Sequence, residues 1–242
     1  MQIVCLKIRL FEIFTSLEGE GILYGTKTLF VRLAGCPFKC FYCDTKEALP
    51  MNSGQEYTVG EACKLIEQNL QKNTYKVNFT GGDPLVQSEG VAKMAKFVKA
   101  KKIPTYLESS CYDSRLFAQV LPYIDYIKIE FKTPESEFVD SKHYSKLLEN
   151  ELKCLEYAVN SKKTTYVKVV INSQTKLEPF RTLLDKIFKN TSKTKIAGFI
   201  IQPSDGIAEP SLKQLLKFYD EVHSYYEEVR IIPQLHKFIG AP

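Results

Sequence analysis

The chain has 242 residues, 44% of them hydrophobic and 12% aromatic, with 33 Lys and Arg against 28 Asp and Glu for a formal charge of +5. That length gives one large domain, or one with an appendage, and enough chain to bury a sizeable core. The aromatic content excludes disorder, and the excess charge is spread out, as in Lys93, Lys96, Lys99, Lys101 and Lys102, a spacing that fits a solvated helix face better than a nucleic-acid stripe.

Residues 1 to 14 interleave Lys7, Arg9 and Glu12 with apolar positions, so no signal-peptide core forms there, and no run approaches the roughly 18 apolar residues of a membrane span. A soluble, cytoplasmic protein without membrane or nucleic-acid partners is expected. Apolar, β-branched runs follow at 28–33, 76–80, 105–108, 126–131, 166–171, 198–202 and 229–232. Between the first two, Thr58-Val59-Gly60-Glu61 reads as a capping box, and Ala62, Leu65, Ile66 and Leu70 then share a helical face. Val91, Met94, Ala95 and Val98 predict a second helix, Leu183, Leu184 and Ile187 a third, and Leu212, Leu215, Leu216 and Tyr219 a fourth. Alternating strands and helices predict an α/β fold with a parallel sheet and right-handed crossovers.

Chemically unusual residues gather just after the runs: Cys36 after the first, Thr80-Gly81-Gly82-Asp83-Pro84 after the second and Glu108-Ser109-Ser110 after the third. Glu130-Phe131-Lys132, Gln202-Pro203 and Pro233-Gln234-Leu235-His236 end the fourth, sixth and seventh. In a β/α barrel these ends share the face that carries active sites. About six βα units predict a partial, (β/α)6-type TIM-like barrel over residues 1–242, with 233–242 as a C-terminal tail.

Of seven cysteines, Cys5, Cys63, Cys111 and Cys154 sit among apolar neighbours and read as buried thiols. Cys36, Cys40 and Cys43 cluster in Gly35-Cys36-Pro37-Phe38-Lys39-Cys40-Phe41-Tyr42-Cys43-Asp44-Thr45. A structural zinc site wants four protein ligands, and a redox Cys-x-x-Cys pair leaves Cys36 unexplained. A [4Fe–4S] cluster on three cysteines leaves one iron open to a small molecule. His143 and His223 lie in polar helical contexts and are assigned nothing.

The C-x3-C-x2-C loop with a Gly-Gly-acid-Pro motif resembles the radical S-adenosylmethionine (SAM) superfamily. Ser16-Leu17-Glu18-Gly19-Glu20-Gly21, Phe30 to Cys36, Cys43-Asp44-Thr45 and Pro233 to Lys237 together are similar to the 7-carboxy-7-deazaguanine synthase family, over nearly the whole chain. That resemblance implies a carbon–nitrogen lyase that converts 6-carboxy-5,6,7,8-tetrahydropterin to 7-carboxy-7-deazaguanine with loss of ammonia, toward queuosine or archaeosine. It implies a [4Fe–4S] cluster on Cys36, Cys40 and Cys43, SAM on the open iron, and Mg²⁺ at the Thr45 hydroxyl. Substrate contacts fall on Leu17, Glu18, Gly19, Glu20, Arg32, Thr80, His236 and Pro242. SAM contacts fall on Tyr42, Cys43, Asp44, Gly82, Asp83, Glu108, Ser109, Glu130, Phe131, Lys132, Gln202, Pro203, Ser204 and Asp205. Where the family usually has Gln and Glu, this chain has Glu18 and Asp83. An electron donor such as flavodoxin or ferredoxin and a homodimer are also implied. The alternatives are a glycyl-radical activase with the same cluster motif, or a non-catalytic Fe–S or zinc-binding module.

Overall fold

The computed structural model describes residues 6–136, 141–192 and 195–240; Cys5 and Pro242 lie outside them. The chain runs β1 (Lys7–Leu17), β2 (Lys27–Leu33), β3 (Gln55–Thr58), α1 (Val59–Asn69), β4 (Lys76–Gly81), α2 (Ser88–Ala100), β5 (Thr105–Ser109), α3 (Ser114–Val120), β6 (Tyr126–Phe131), α4 (Ser141–Asn160), β7 (Thr164–Ile171), α5 (Leu177–Asn190), β8 (Phe199–Pro203), α6 (Leu212–Tyr225), β9 (Val229–Ile231) and α7 (Leu235–Ile239). All nine strands join one sheet in the order β3-β1-β2-β4-β5-β6-β7-β8-β9.

From β2 through β9 every pairing is parallel, so each of the seven predicted runs is a parallel strand, and α1 to α6 make the six crossovers. β1 and β3, for which the sequence pattern gives no expectation, pair antiparallel at the far side of the sheet. The alternation of β1 is weak because, beyond buried Ile8 and Leu10, its residues are only partly buried on both sides. Helices α3 and α4 are likewise additions to the expected elements. The capping box is present, with Thr58 Oγ1 accepting from the Glu61 amide and the Glu61 carboxylate accepting from the Thr58 amide.

In α6 the expected face is displaced. Leu215, Phe218 and Val222 are buried, whereas Leu212 and Leu216 are 70% and 49% exposed. Ser211 caps the helix through the Gln214 amide, and the phase set there turns the 215–218–222 face onto the sheet. Cys111 and Cys154 are buried as expected, but Cys63 only partly so.

Each parallel strand divides its residues by parity. Val77, Phe79, Leu107, Ile127, Ile129, Phe131, Val167, Val169 and Ile171 enter the main core with the helices. The alternate residues of β6 and β7, among them Lys128, Glu130 and Lys168, face the barrel interior, where they line a shared cavity. Tyr106, Tyr166 and Ile200 form a small inner cluster at the base of that interior. The short helical turn Gly21–Leu23 after β1 closes against it: a Cβ on Gly21, at φ +68°, would stand 1.9 Å from the Tyr166 hydroxyl.

The joint between β2 and β4 decides where the cysteine loop begins. Gly81 has φ +141°, and a Cβ there would lie 2.1 Å from the Leu33 carbonyl oxygen; one on Gly82 would lie 2.4 Å from that of Gly35. The Gly82 amide donates to Leu33 O at 3.0 Å and the Asp83 amide to Gly35 O at 2.7 Å. The two glycines therefore let β4 lie flush against the backbone leading into Cys36, a different reason from room for a ligand. Gly81→Ala should destabilise the cluster-free protein by at least about 2 kcal/mol, from positive-φ strain plus a clash with backbone, read as a lowered urea midpoint.

Candidate active site

The strand ends open onto one cavity of about 430 Å³. Its lining includes Leu17, Glu18, Gly19, Glu20, Arg32, Cys36, Cys40, Tyr42, Cys43, Asp44, Thr45, Thr80, Gly82, Asp83, Glu108, Ser109, Glu130, Lys132, Gln202, Ser204, Asp205 and His236. Of the described residues expected there, Phe131 and Pro203 do not line it. Phe131 points the other way on β6 and is fully buried in the core.

The three cysteines occupy the irregular loop after β2 as free, half-buried thiols. Burial pushes the Cys36 thiol up to about 12 and raises that of Cys43, so bare thiolates are disfavoured unless a positive centre joins them. A structural zinc ion wants four protein ligands, and the loop offers three thiols; a [4Fe–4S] cluster held by three cysteines uses all of them and keeps one iron open.

Asp83 is 1% exposed and already committed. Its carboxylate accepts from the Leu85 amide at 2.9 Å, Ser109 Oγ at 2.9 and 3.1 Å, the Ser110 amide at 2.8 Å and Ser110 Oγ at 2.5 Å. The shorter acid ties the ends of β4 and β5 together, and the Ser109 hydroxyl, which donates to Asp83 and accepts from the Cys111 amide, is committed with it. Glu18 is similarly turned inward. It pairs with Lys76 Nζ at 2.8 Å, both side chains almost wholly buried, and accepts from Asn78 Nδ2 at 3.2 Å. Burial and nearby Glu108 lift its carboxyl to about 7 despite Lys76.

A chain of charge crosses the interior. Lys128 contacts Glu108 at 3.5 Å and Glu130 at 3.1 Å, Lys132 also pairs with Glu130, and Lys168 lies 3.1 Å from Glu130 and 2.5 Å from Glu20. Burial opposes ionisation of Glu130, but Lys132, Lys168 and Lys128 outweigh it and hold the carboxyl well below its usual range. Glu20 Oε1 accepts from Gln202 Nε2 at 3.1 Å and Gln234 Nε2 at 2.8 Å. On the rim, Arg32 donates to Glu12 at 2.7 Å and to Thr45 Oγ1 at 2.9 Å, with its guanidinium 5.3 Å from the Phe14 ring centre. Thr45 in turn donates to Asp44 Oδ1 at 3.1 Å.

The C-terminal segment docks on this rim by polar contacts. Leu235 N donates to Gly19 O at 3.0 Å. A Cβ on Gly19 would come within 2.3 Å of His236 Nδ1, so only glycine admits the imidazole. His236 Nε2 lies 3.5 Å from Asp44 Oδ2, and Lys237 pairs with Asp205 at 2.9 Å. Hydrogen bonding to Asp44 raises the His236 pKa against its partial burial. The apolar Phe238 and Ile239 take no part in this docking and are 73% and 49% exposed.

With this geometry in place, comparison with known proteins is direct. Residues 17–147 match the family model described as a 4Fe-4S single cluster domain. The 7-carboxy-7-deazaguanine synthase of Methanocaldococcus jannaschii is 30% identical over 95% of this chain and 98% of its own. The chain belongs to the 7-carboxy-7-deazaguanine synthase family. The synthase of Archaeoglobus fulgidus is 28% identical over 97% of this chain and 99% of its own. The crystal structure of QueE from Escherichia coli superposes with a TM-score of 0.67 at 17% identity, covering 95% of both chains; that likeness shows the shared partial-barrel fold. The family is one of radical SAM enzymes, and this synthase homologue carries its iron–sulfur domain.

Lys76, Lys128, Lys168 and Gln234 were not anticipated from sequence. The signal was present in the strict alternation Tyr126-Ile127-Lys128-Ile129-Glu130-Phe131-Lys132, where charge at every second position marks a polar interior face. Lys168→Met should leave Glu20 and Glu130 without their shared cation and destabilise the fold by about 3–5 kcal/mol, the cost of breaking a buried ionic pair; urea unfolding of the cluster-free protein measures it. The same change made exposed Lys93 lose its partner Glu89 should move the midpoint little.

Proposed function

We propose that this chain converts 6-carboxy-5,6,7,8-tetrahydropterin to 7-carboxy-7-deazaguanine with loss of ammonia, as a 7-carboxy-7-deazaguanine synthase. The observation that carries the reading is that Glu20, Arg32, Thr45, His236 and the three loop cysteines line one cavity. Cys36, Cys40 and Cys43 would hold the [4Fe–4S] cluster. With SAM bound, that group supplies the electron that generates a 5′-deoxyadenosyl radical. Gly82, Glu108, Glu130, Lys132, Gln202, Ser204 and Asp205 form the wall for SAM, with Tyr42 as its aromatic cover.

The protein's own residues then bind and orient the pterin. An ionised carboxylate offers about four acceptor positions, and Glu20 spends three on Lys168, Gln202 and Gln234. The remaining one can take an N–H of the guanidine-like pterin edge. Arg32, partly used by Glu12 and Thr45, presents the rest of its fork to the substrate carboxylate. Phe14 and Phe30, stacked with ring centres 5.0 Å apart, give the ring an apolar wall. Thr45 offers the hydroxyl for Mg²⁺, an ion that keeps several waters and needs few protein ligands. Residues 233–240 form the lid that excludes water. A flavodoxin or ferredoxin donates electrons, and the enzyme works as a homodimer.

The test is anaerobic reconstitution with iron and sulfide, then incubation with reductant, SAM and the carboxytetrahydropterin, and product identification by mass. Absence of product with SAM cleaved on a protein glycine would favour an activase. Ala at Cys36, Cys40 or Cys43 should abolish bound iron and visible cluster absorbance, while Ala at Cys63 or Cys154 should leave both. Thr45→Val should raise the Mg²⁺ concentration for half-maximal turnover while SAM affinity stays near normal. His236→Ala should weaken substrate binding by about 1–3 kcal/mol, the range for a lost buried polar partner, with iron content unchanged.

A further inference from the structure

Glu20 follows β1, Asp44 follows the last loop cysteine, and each offers an oxygen within 4.8 Å of the other. Two carboxylates at that distance repel unless a donor stands between them. That donor is Gln234: its Nε2 donates to Glu20 Oε1 at 2.8 Å and to Asp44 Oδ2 at 2.8 Å, with the side chain buried. Both hydrogens of the amide are thereby used.

We propose that Gln234 is a positioning residue for the substrate site, whose amide holds the Glu20 and Asp44 carboxylates at a working separation and so links the docked tail to the loop that carries Thr45. The inference rests on the function proposed above. Asp44 Oδ1 receives the Thr45 hydroxyl, so displacement of Asp44 reaches the Thr45 side chain through one hydrogen bond. On the other side, the Leu235 amide donates to Gly19 O, next to Glu20. One amide thus sets the spacing of the Glu20 carboxylate, the Thr45 hydroxyl beside the cysteine loop and the tail. Lys168 approaches Glu20 through the opposite oxygen and does not reach Asp44 in this way.

The discriminating experiment is a double-variant comparison on the reconstituted enzyme. Gln234→Met keeps length and removes both donors. Asp44→Asn removes one of the two repelling charges and supplies an amide of its own. Gln234→Met should weaken binding of the carboxytetrahydropterin at least tenfold in the Asp44 background and less than threefold in the Asp44→Asn background, and within each background it should change the SAM dissociation constant less than twofold. Hydrogen exchange of residues 233–240 without substrate should accelerate at least tenfold in Gln234→Met and recover in the double variant. Equal costs in both backgrounds, or no cost in either, would overturn the assignment, since a merely structural glutamine would not be relieved by changing Asp44. Wild-type enzyme that fails to bind the pterin would instead remove the proposed substrate, and the exchange comparison would still decide the role of Gln234.

Discussion

The contact on which the interior depends is Lys168, placed between Glu20 and Glu130. Glu130 and Lys168 are directly opposed in the β6–β7 register, so sheet pairing brings them together before any ligand is considered. Glu20, Glu108 and Glu130 interlock with Lys128, Lys132 and Lys168, and the Glu18–Lys76 pair joins them through Asn78, whose amide donates to Glu18 and to Glu108. Buried charges at this density persist only when paired and hydrogen-bonded. The pairing leaves the cavity polar yet close to neutral. Glu20 meets Lys168 through Oε2 and Gln202 and Gln234 through Oε1, so its orientation is set by the sheet and its rim partners together.

The sheet was legible because parallel strands buried on both faces write themselves as β-branched runs, and seven of them stand out. The edge strands β1 and β3 were not, since they are half exposed and carry charged residues such as Lys7, Arg9 and Glu56 that pair with one another on the surface. In the site, the cysteines, Glu20, Arg32, Thr45 and His236 were readable because their residue types are uncommon in those contexts. What could not be read is direction. Glu18 and Glu20 are two residues apart and chemically alike, yet one enters a buried pair with Lys76 and the other faces the cavity. Asp83 likewise sits where a ligand contact was expected and spends its oxygens on Ser109, Ser110 and Leu85. Gln234 gave no signal because an amide is ordinary until its two acceptors are known.

The start of the cysteine loop is placed by backbone contacts. Gly81 and Gly82 bring β4 against residues 33–35, and Asp83 binds β4 to β5, so the three strands nearest the loop behave as one support. A loop that must present three thiols cannot anchor itself through those side chains, and the glycine joint supplies the anchor from below.

The depth of the lysine–glutamate network also decides how the protein responds to ionic strength. Added salt screens charges that face water and hardly touches pairs enclosed by protein. Lys168 is 3% exposed at its side chain, whereas Lys237 and Asp205, which pair where the tail meets the rim, are 30% and 45% exposed. Dissolved ions therefore act on the latch and leave the floor alone: a concentrated electrolyte loosens the outermost tether of the mouth while the internal field that orients Glu20 stays as it was.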